Sequence, residues 1–304
     1  MDRLNATPAM TAEPATDASD GAAPQATVHV DLDGAAHIFR LHGWRWTHAD
    51  DPVYDSGVRH ALDLFDRFGV RATFFVIAED LDHPVKAELL REITRRGHEL
   101  GSHSLTHAPL RELSVEHKRR EIFASRDRIA DALDQRPAGF RAPNFSIDRA
   151  SIDLIAEAGY DYDSSIVPGA RVPGYAQEHD HAPRLIAGEL VELPLPAHRP
   201  LPFSFHPSYS LVLGLRYFHA GLARFRRSRA PFVMLYHLID FADPLPASRL
   251  RGWAQRLYTL SFLSGERKRE RCQRMLEAVK SAYTVTDTSA IVHRALAKAR
   301  RANP

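Results

Sequence analysis

Cysteine is almost absent from this chain: Cys272 stands alone among 304 residues. One thiol cannot close an intrachain disulfide, so the fold holds without one and suits a reducing compartment. Long apolar runs are missing too. No stretch reaches the roughly 18 residues that a membrane-spanning helix needs, and the first residues lack the basic-then-apolar order of a secretory leader. Cytoplasm is therefore the expected location. An excess of either charge is missing as well. Forty Lys plus Arg against 38 Asp plus Glu leave a net charge of +2, too balanced to argue for nucleic acid or membrane affinity, and no nucleic-acid partner is expected. Internal repeats are absent, which sets solenoids and propellers aside.

What is present is a 44% apolar chain long enough for one large core. Residues 1–26, short polar residues with proline, read as a disordered tail. Residues 27–304 read as one domain with a helical C-terminal elaboration. Apolar strand-like runs at 27–32, 71–78, 99–101, 139–141 and 231–236 alternate with helical periodicity at 55–68, 85–96, 114–133 and 147–158. Ser56 and Ser114 are the expected caps of the first and third of these helices. Residues 35–54, holding His37, His42, His48, Trp44 and Trp46, show no steady period and read as a loop with aromatic walls. Further helices are expected at 211–227, 246–260, 265–282 and 287–299, and strands at 189–193 and 283–286. This alternation points to an α/β fold with mainly parallel strands, in which functional groups gather at strand carboxyl ends.

The polar residues sit just past those strand ends. His103 and His107 are four apart, so a helical turn between them would aim both rings one way. With an oxygen from Asp33 they make a donor set for a divalent metal that leaves a position open for water. Turn-capping roles for the two histidines compete with this. Asp31 and Asp33 are two apart on an extended segment and point to one side. One can ligate while the other takes a proton from water, although an Asx-turn before Gly34 is a further use. Arg141, stiffened by Pro143 beyond Ala142, can pair with Asp31 or simply form a surface ion pair. His237 ends an apolar strand and can donate a proton or be structural. Asp161 and Asp163 flank Tyr162, and either can support Arg141 or a histidine. Trp44, Trp46, Phe145, Phe205 and Tyr209 can floor a sugar site or pack in the core.

Taken together, Asp31-Leu32-Asp33, His103-Ser104-Leu105-Thr106-His107, Arg141-Ala142-Pro143, the Asp161/Asp163 pair and Leu235-Tyr236-His237 resemble the five motifs of the polysaccharide deacetylase family, the NodB-homology or carbohydrate esterase 4 group. The resemblance covers roughly residues 27–240. It departs from the usual first motif, whose aspartates are adjacent, because Leu32 separates them here.

The resemblance implies a distorted (β/α) barrel and a metal-dependent removal of N-acetyl groups from an N-acetylated sugar or glycoconjugate. It implies Asp31 as base, His237 as acid, Arg141 and Asp163 or Asp161 as supporting catalytic residues, and Asp33, His103 and His107 as metal ligands. Zn²⁺ is the expected ion, with Co²⁺, Ni²⁺ or Mn²⁺ as substitutes. The other readings are a deformylase or deacetylase of a lipid-linked or nucleotide-linked aminosugar, a non-sugar amide hydrolase, and a carbohydrate-binding protein without catalysis. The apolar run from Phe203 to Leu215 leaves room for peripheral membrane contact. A homo-oligomer is compatible with all of these.

Overall fold

The computed structural model describes residues 24–176, 179–198 and 203–302. Most of the expected N-terminal tail, residues 1–23, lies outside the described residues, and Gln25 and Ala26 already belong to the first strand. The strands are β1 (Gln25–Asp31), β2 (Thr73–Val76), β3 (Glu99–Ser102), β4 (Gly139–Phe140), β5 (Tyr162–Asp163), β6 (Arg184–Ala187), β7 (Leu190–Glu192), β8 (Ala197–His198), β9 (Phe203–Ser204), β10 (Phe232–His237) and β11 (Thr284–Val285). The longer helices are α1 (Ala35–Leu41), α2 (Pro52–Phe68), α3 (Pro84–Arg95), α4 (Val115–Leu133), α5 (Arg149–Glu157), α6 (Pro207–Leu213), α7 (Leu215–Phe225), α8 (Leu238–Phe241), α9 (Trp253–Tyr258), α10 (Gly265–Ala282) and α11 (Thr288–Ala302).

The sheet runs β10-β1-β2-β3-β4-β5-β7-β6, with β11 beside the start of β1. Every pairing in it is parallel except β6 with β7. The sheet curls into an open half-barrel, the distorted (β/α) barrel expected. Crossovers through helices place parallel strands side by side and cover the outer face. That is why β1 is buried from Ala26 to Asp31 and reads as a continuous run rather than an alternating one.

Side-chain alternation sorts the two faces. Phe75, Tyr162, Val233 and Leu235 pack inside the curl against Ile291 and Val292 of α11. Phe74, Val76, Met234 and Tyr236 point outward into the larger core with α2 and α3. Two glycines make the inward packing feasible. A Cβ on Gly139 would lie 2.0 Å from the Tyr162 ring, and one on Gly101 would lie 2.5 Å from the Phe75 ring.

Several elements differ from the sequence reading, each for a local reason. The helix expected at 55–68 starts at Pro52, and its cap is Asp51 rather than Ser56. Asp51 accepts from Tyr54 N at 3.2 Å, and proline is pre-organised for the first helical position. Ser114 does cap α4, accepting from His117 N at 3.3 Å. Residues 35–41 form α1 where a loop was expected, with His37 buried in it. Gly214, at φ 94°, splits the helix expected at 211–227 into α6 and α7. The stretch 246–260 is helical only over α9 and a short 3-10 turn.

Candidate metal centre

Asp31, at the end of β1, turns into the half-barrel's mouth, and Asp33 follows it two residues later. His103 stands just past β3, Arg141 just past β4, Ser164 just past β5, and His237 ends β10. All come from inward-facing register positions or from the loop that leaves them. Parallel strands therefore deliver these side chains to a single rim.

The metal-ligand geometry is closed by three residues. Asp33 Oδ1 lies 3.0 Å from His107 Nε2 and 3.5 Å from His103 Nε2. Asp33, His103 and His107 thus form a triad able to hold a divalent metal, and among the described residues it is the one such cluster found. Two of its atoms, Asp33 Oδ1 and His107 Nε2, are buried without a hydrogen-bond partner. Orphaned buried donors and acceptors are costly, and a cation satisfies both. The donor set fits the group: two imidazoles and one carboxylate are what a zinc-like ion takes.

The surroundings prepare the ligands. His103 Nδ1 bonds the carbonyl of Arg141 at 2.7 Å. A carbonyl only accepts, so Nδ1 carries the proton and Nε2 keeps its lone pair for a metal. Burial pulls His103 down to about 4, against the opposing pull of Asp31 and Asp33, so the ring is neutral at neutral pH. Burial pushes Asp33 up, but His107, His103 and His237 outweigh it and hold the carboxyl well below its usual range. His107 moves up because Asp33 outweighs its burial.

The loop between the two histidines is not the helical turn expected. Ser104 and His107 take positive φ, 69° and 62°. Ser104 Oγ accepts from His107 N at 3.0 Å. Glu121 of α4 accepts from Leu105 N at 2.9 Å, Thr106 N at 2.8 Å and Thr106 Oγ1 at 2.7 Å. These bonds fix a bent loop that a helix could not match, and they aim both rings at Asp33.

Arg141 is fully buried and spends its donors on four partners. Nη1 donates to Asp31 Oδ1 at 2.9 Å, Nε to Ser164 O at 2.9 Å, and Nη2 to Ser164 Oγ at 2.8 Å and His29 Nδ1 at 2.7 Å. The guanidinium also lies over the Phe75 ring at 4.2 Å. Because guanidinium only donates, His29 Nδ1 accepts, and its Nε2–H reaches Thr288 Oγ1 at 3.0 Å. Burial, then Arg141, holds His29 well below its usual range. The other Asp31 oxygen stays free of Arg141, 3.9 Å from both His103 Nε2 and His237 Nε2. His237 Nδ1 sits 3.2 Å from Ser208 Oγ, and its ring packs on His206.

The two remaining candidates behave differently. Asp163 is on the outer face, one residue out of phase with Tyr162. It accepts from Ser165 Oγ at 2.6 Å, and Ser165 Oγ in turn accepts from Ala142 N at 2.8 Å. It therefore reaches the Arg141 loop through a serine and touches neither Asp31 nor His237. Burial pushes Asp163 up to about 6, and Glu192, hydrogen-bonded to it, is raised by burial and by that neighbour. Asp161 is not brought to the cluster. It lies half-buried before β5 and pairs with Arg136 at 2.7 Å.

Sequence reasoning overlooked His29, Ser164, Ser208 and Glu121. His29 carried a usable signal, since it precedes Asp31 by two positions and shares its face. Ser208 and Glu121 carried none, being joined to the site only by folding. The aromatic floor divides: Phe205 is buried in the core, Trp44 and Trp46 pack on Phe39, and Tyr209 packs at a tilt on His206.

The family model described as polysaccharide deacetylase matches residues 46–162. The chain is 23% identical over 161 residues to a peptidoglycan deacetylase of Helicobacter pylori, covering 50% of this chain and 52% of that protein. It is 33% identical over 113 residues to a chitin deacetylase of Arthroderma benhamiae, covering 36% and 30%. The chain thus spans about half of the first relative and under a third of the second. Among solved structures, a Mycobacterium smegmatis protein aligns at TM-score 0.63 with 19% identity over 96% of both chains. An allantoinase aligns at TM-score 0.60 with 17% identity over 90% of both. At such identities the two structures speak for the fold alone. Over residues 46–162, then, the chain is similar to the polysaccharide deacetylase family, whose model matches that span.

Proposed function

We propose that this protein is a metal-dependent amidohydrolase that removes the N-acetyl group from an N-acetylated sugar, releasing acetate. The observation that supports it most is one oxygen of Asp31 lying between the metal ligands and His237. Asp33, His103 and His107 would hold a divalent cation, in this proposal Zn²⁺, which when bound would polarise the amide carbonyl and acidify the attacking water. Asp31 takes the proton of that water through its oxygen turned away from Arg141. Arg141 fixes the plane of the Asp31 carboxyl through a bond that cannot rotate away, since the guanidinium is itself held by Ser164 and His29. His237 gives a proton to the departing amine through Nε2, with Ser208 setting its ring. Asp163 positions the Arg141 loop through Ser165 and takes no part in proton transfer, and Asp161 has no role at the centre. A reducing, cytoplasmic setting is part of the same proposal.

The test is acetate release from N-acetylglucosamine oligomers by protein stripped of metal and then reloaded. Activity that appears only with the ion supports the proposal. Activity that is indifferent to chelation, or absent with every N-acetylated sugar tried, overturns it.

A further inference from the structure

One sector of the half-barrel's mouth has a composition unlike the rest of the chain. Three segments build it, residues 34–49, 203–216 and 244–264. The first leaves the carboxyl end of β1 through α1. The third leaves the carboxyl end of β10 through α8 and α9. In the second, α6 sits against the end of β10, where Ser208 reaches His237, and it packs on α8. The first and third are joined by the His42 ring on Tyr258, centroids 3.9 Å apart, and Arg249 of the third pairs at 2.9 Å with Asp50, just past the end of the first.

These segments contain no Asp or Glu, although the chain has 38 of them, and they contain six arginines. Arg45, Arg216, Arg251 and Arg256 are exposed, and among the described residues none of the four has an ion-pair partner. The same segments carry seven of the ten large apolar side chains that the described residues leave exposed: Leu41, Tyr209, Val212, Leu213, Trp253, Leu257 and Tyr258. On α6 they fall at positions i, i+3 and i+4, which is one helix face. That face points away from buried Ser210 and Leu211.

Unpaired arginine alone would suit any polyanion. Leucine and valine exposed beside it suit a surface with an apolar layer under an anionic one, and Trp and Tyr favour that boundary. We propose that this sector docks on the surface of an anionic lipid bilayer, with α6 and α9 seated at the headgroup level. No helix among the described residues is long and apolar enough to cross a membrane, so the contact is peripheral. The docking is independent of the hydrolase chemistry.

Co-sedimentation of the full chain with vesicles tests it, using phosphatidylcholine alone and phosphatidylcholine with about one-third phosphatidylglycerol. The expected result is binding at least about tenfold stronger to the anionic vesicles, weakened by salt. A V212S/L213S/W253S/L257S variant should lose about tenfold or more, and an R251E/R256E variant a similar factor. A V85S/V115S control alters exposed apolar residues elsewhere and should bind like the parent, with thermal melts showing that each variant folds. Three results overturn the proposal: no preference for anionic vesicles, binding unchanged by the serine substitutions, or equal loss in the control. Acetate release from a soluble sugar by the serine variant reports on the hydrolase reading separately.

Discussion

Asp31 and Arg141 face each other at 2.9 Å although 110 residues separate them. One carboxyl oxygen is consumed by the guanidinium and the other is left toward His103 and His237. A symmetric bidentate pair would have closed that second oxygen off. The one-sided pairing is what leaves Asp31 an acceptor at the mouth.

Replacing Asp31 with Asn keeps the shape and the bond to Arg141 but removes the base. Metal content by elemental analysis should stay near that of the parent, while turnover falls by about a hundredfold to ten-thousandfold. Parent-like turnover would remove the base assignment, and loss of metal would make Asp31 a ligand.

His103→Ala and His107→Ala each delete one of three ligands, so neither protein should retain stoichiometric metal after purification. Glu121→Ala leaves the ligands but frees their loop. It should weaken metal binding about tenfold to a hundredfold in a competition titration, as removal of a supporting partner does elsewhere. Unaltered affinity would show that the loop holds its bend without Glu121.

Arg141→Met leaves Asp31, His29 and two Ser164 acceptors buried without their donor. The expected loss of stability is about 3–5 kcal/mol by urea unfolding, the size seen when one partner of a buried ion pair is removed. A loss near zero would mean that the pair is open to water.

His98 provides a pH dependence far from the metal ligands. Its Nδ1 accepts from Ala72 N at 3.2 Å, and burial lowers it to about 4. Between about pH 4 and 6.5 the unfolded chain holds this proton and the folded one does not, so stability rises with pH across that window. Acidification from 6.5 to 4 should cost about 2–3 kcal/mol through this residue. In a His98→Gln variant the slope of urea midpoint against pH should be shallower by that amount; an identical slope would show that other groups carry it.

The alternation of buried runs and helical periods made the α/β class and the strand ends legible, because parallel strands buried on both faces cannot hide in polar text. The elements missed were those governed by single side chains. Gly214 broke a helix that periodicity alone would have continued, and Asp51 began one earlier than Ser56 suggested. The loop of His103 to His107 escaped entirely, since its bend depends on Glu121, a residue on another helix.

The metal triad and its two flanking groups were written locally, as Asp31-Leu32-Asp33, His103 with His107, and His237 at the end of its strand. Chemistry of that kind needs particular residue types, and types are visible in one dimension. Which aspartate supports Arg141 was not. Asp161 and Asp163 share a strand edge and differ only in what the fold brings to them: Arg136 and water for one, Ser165 and a buried Glu192 for the other. The partners of Arg141 and His237 were likewise decided by tertiary structure, because a hydrogen bond requires a donor and an acceptor within about 3 Å, and sequence separation carries no record of that distance.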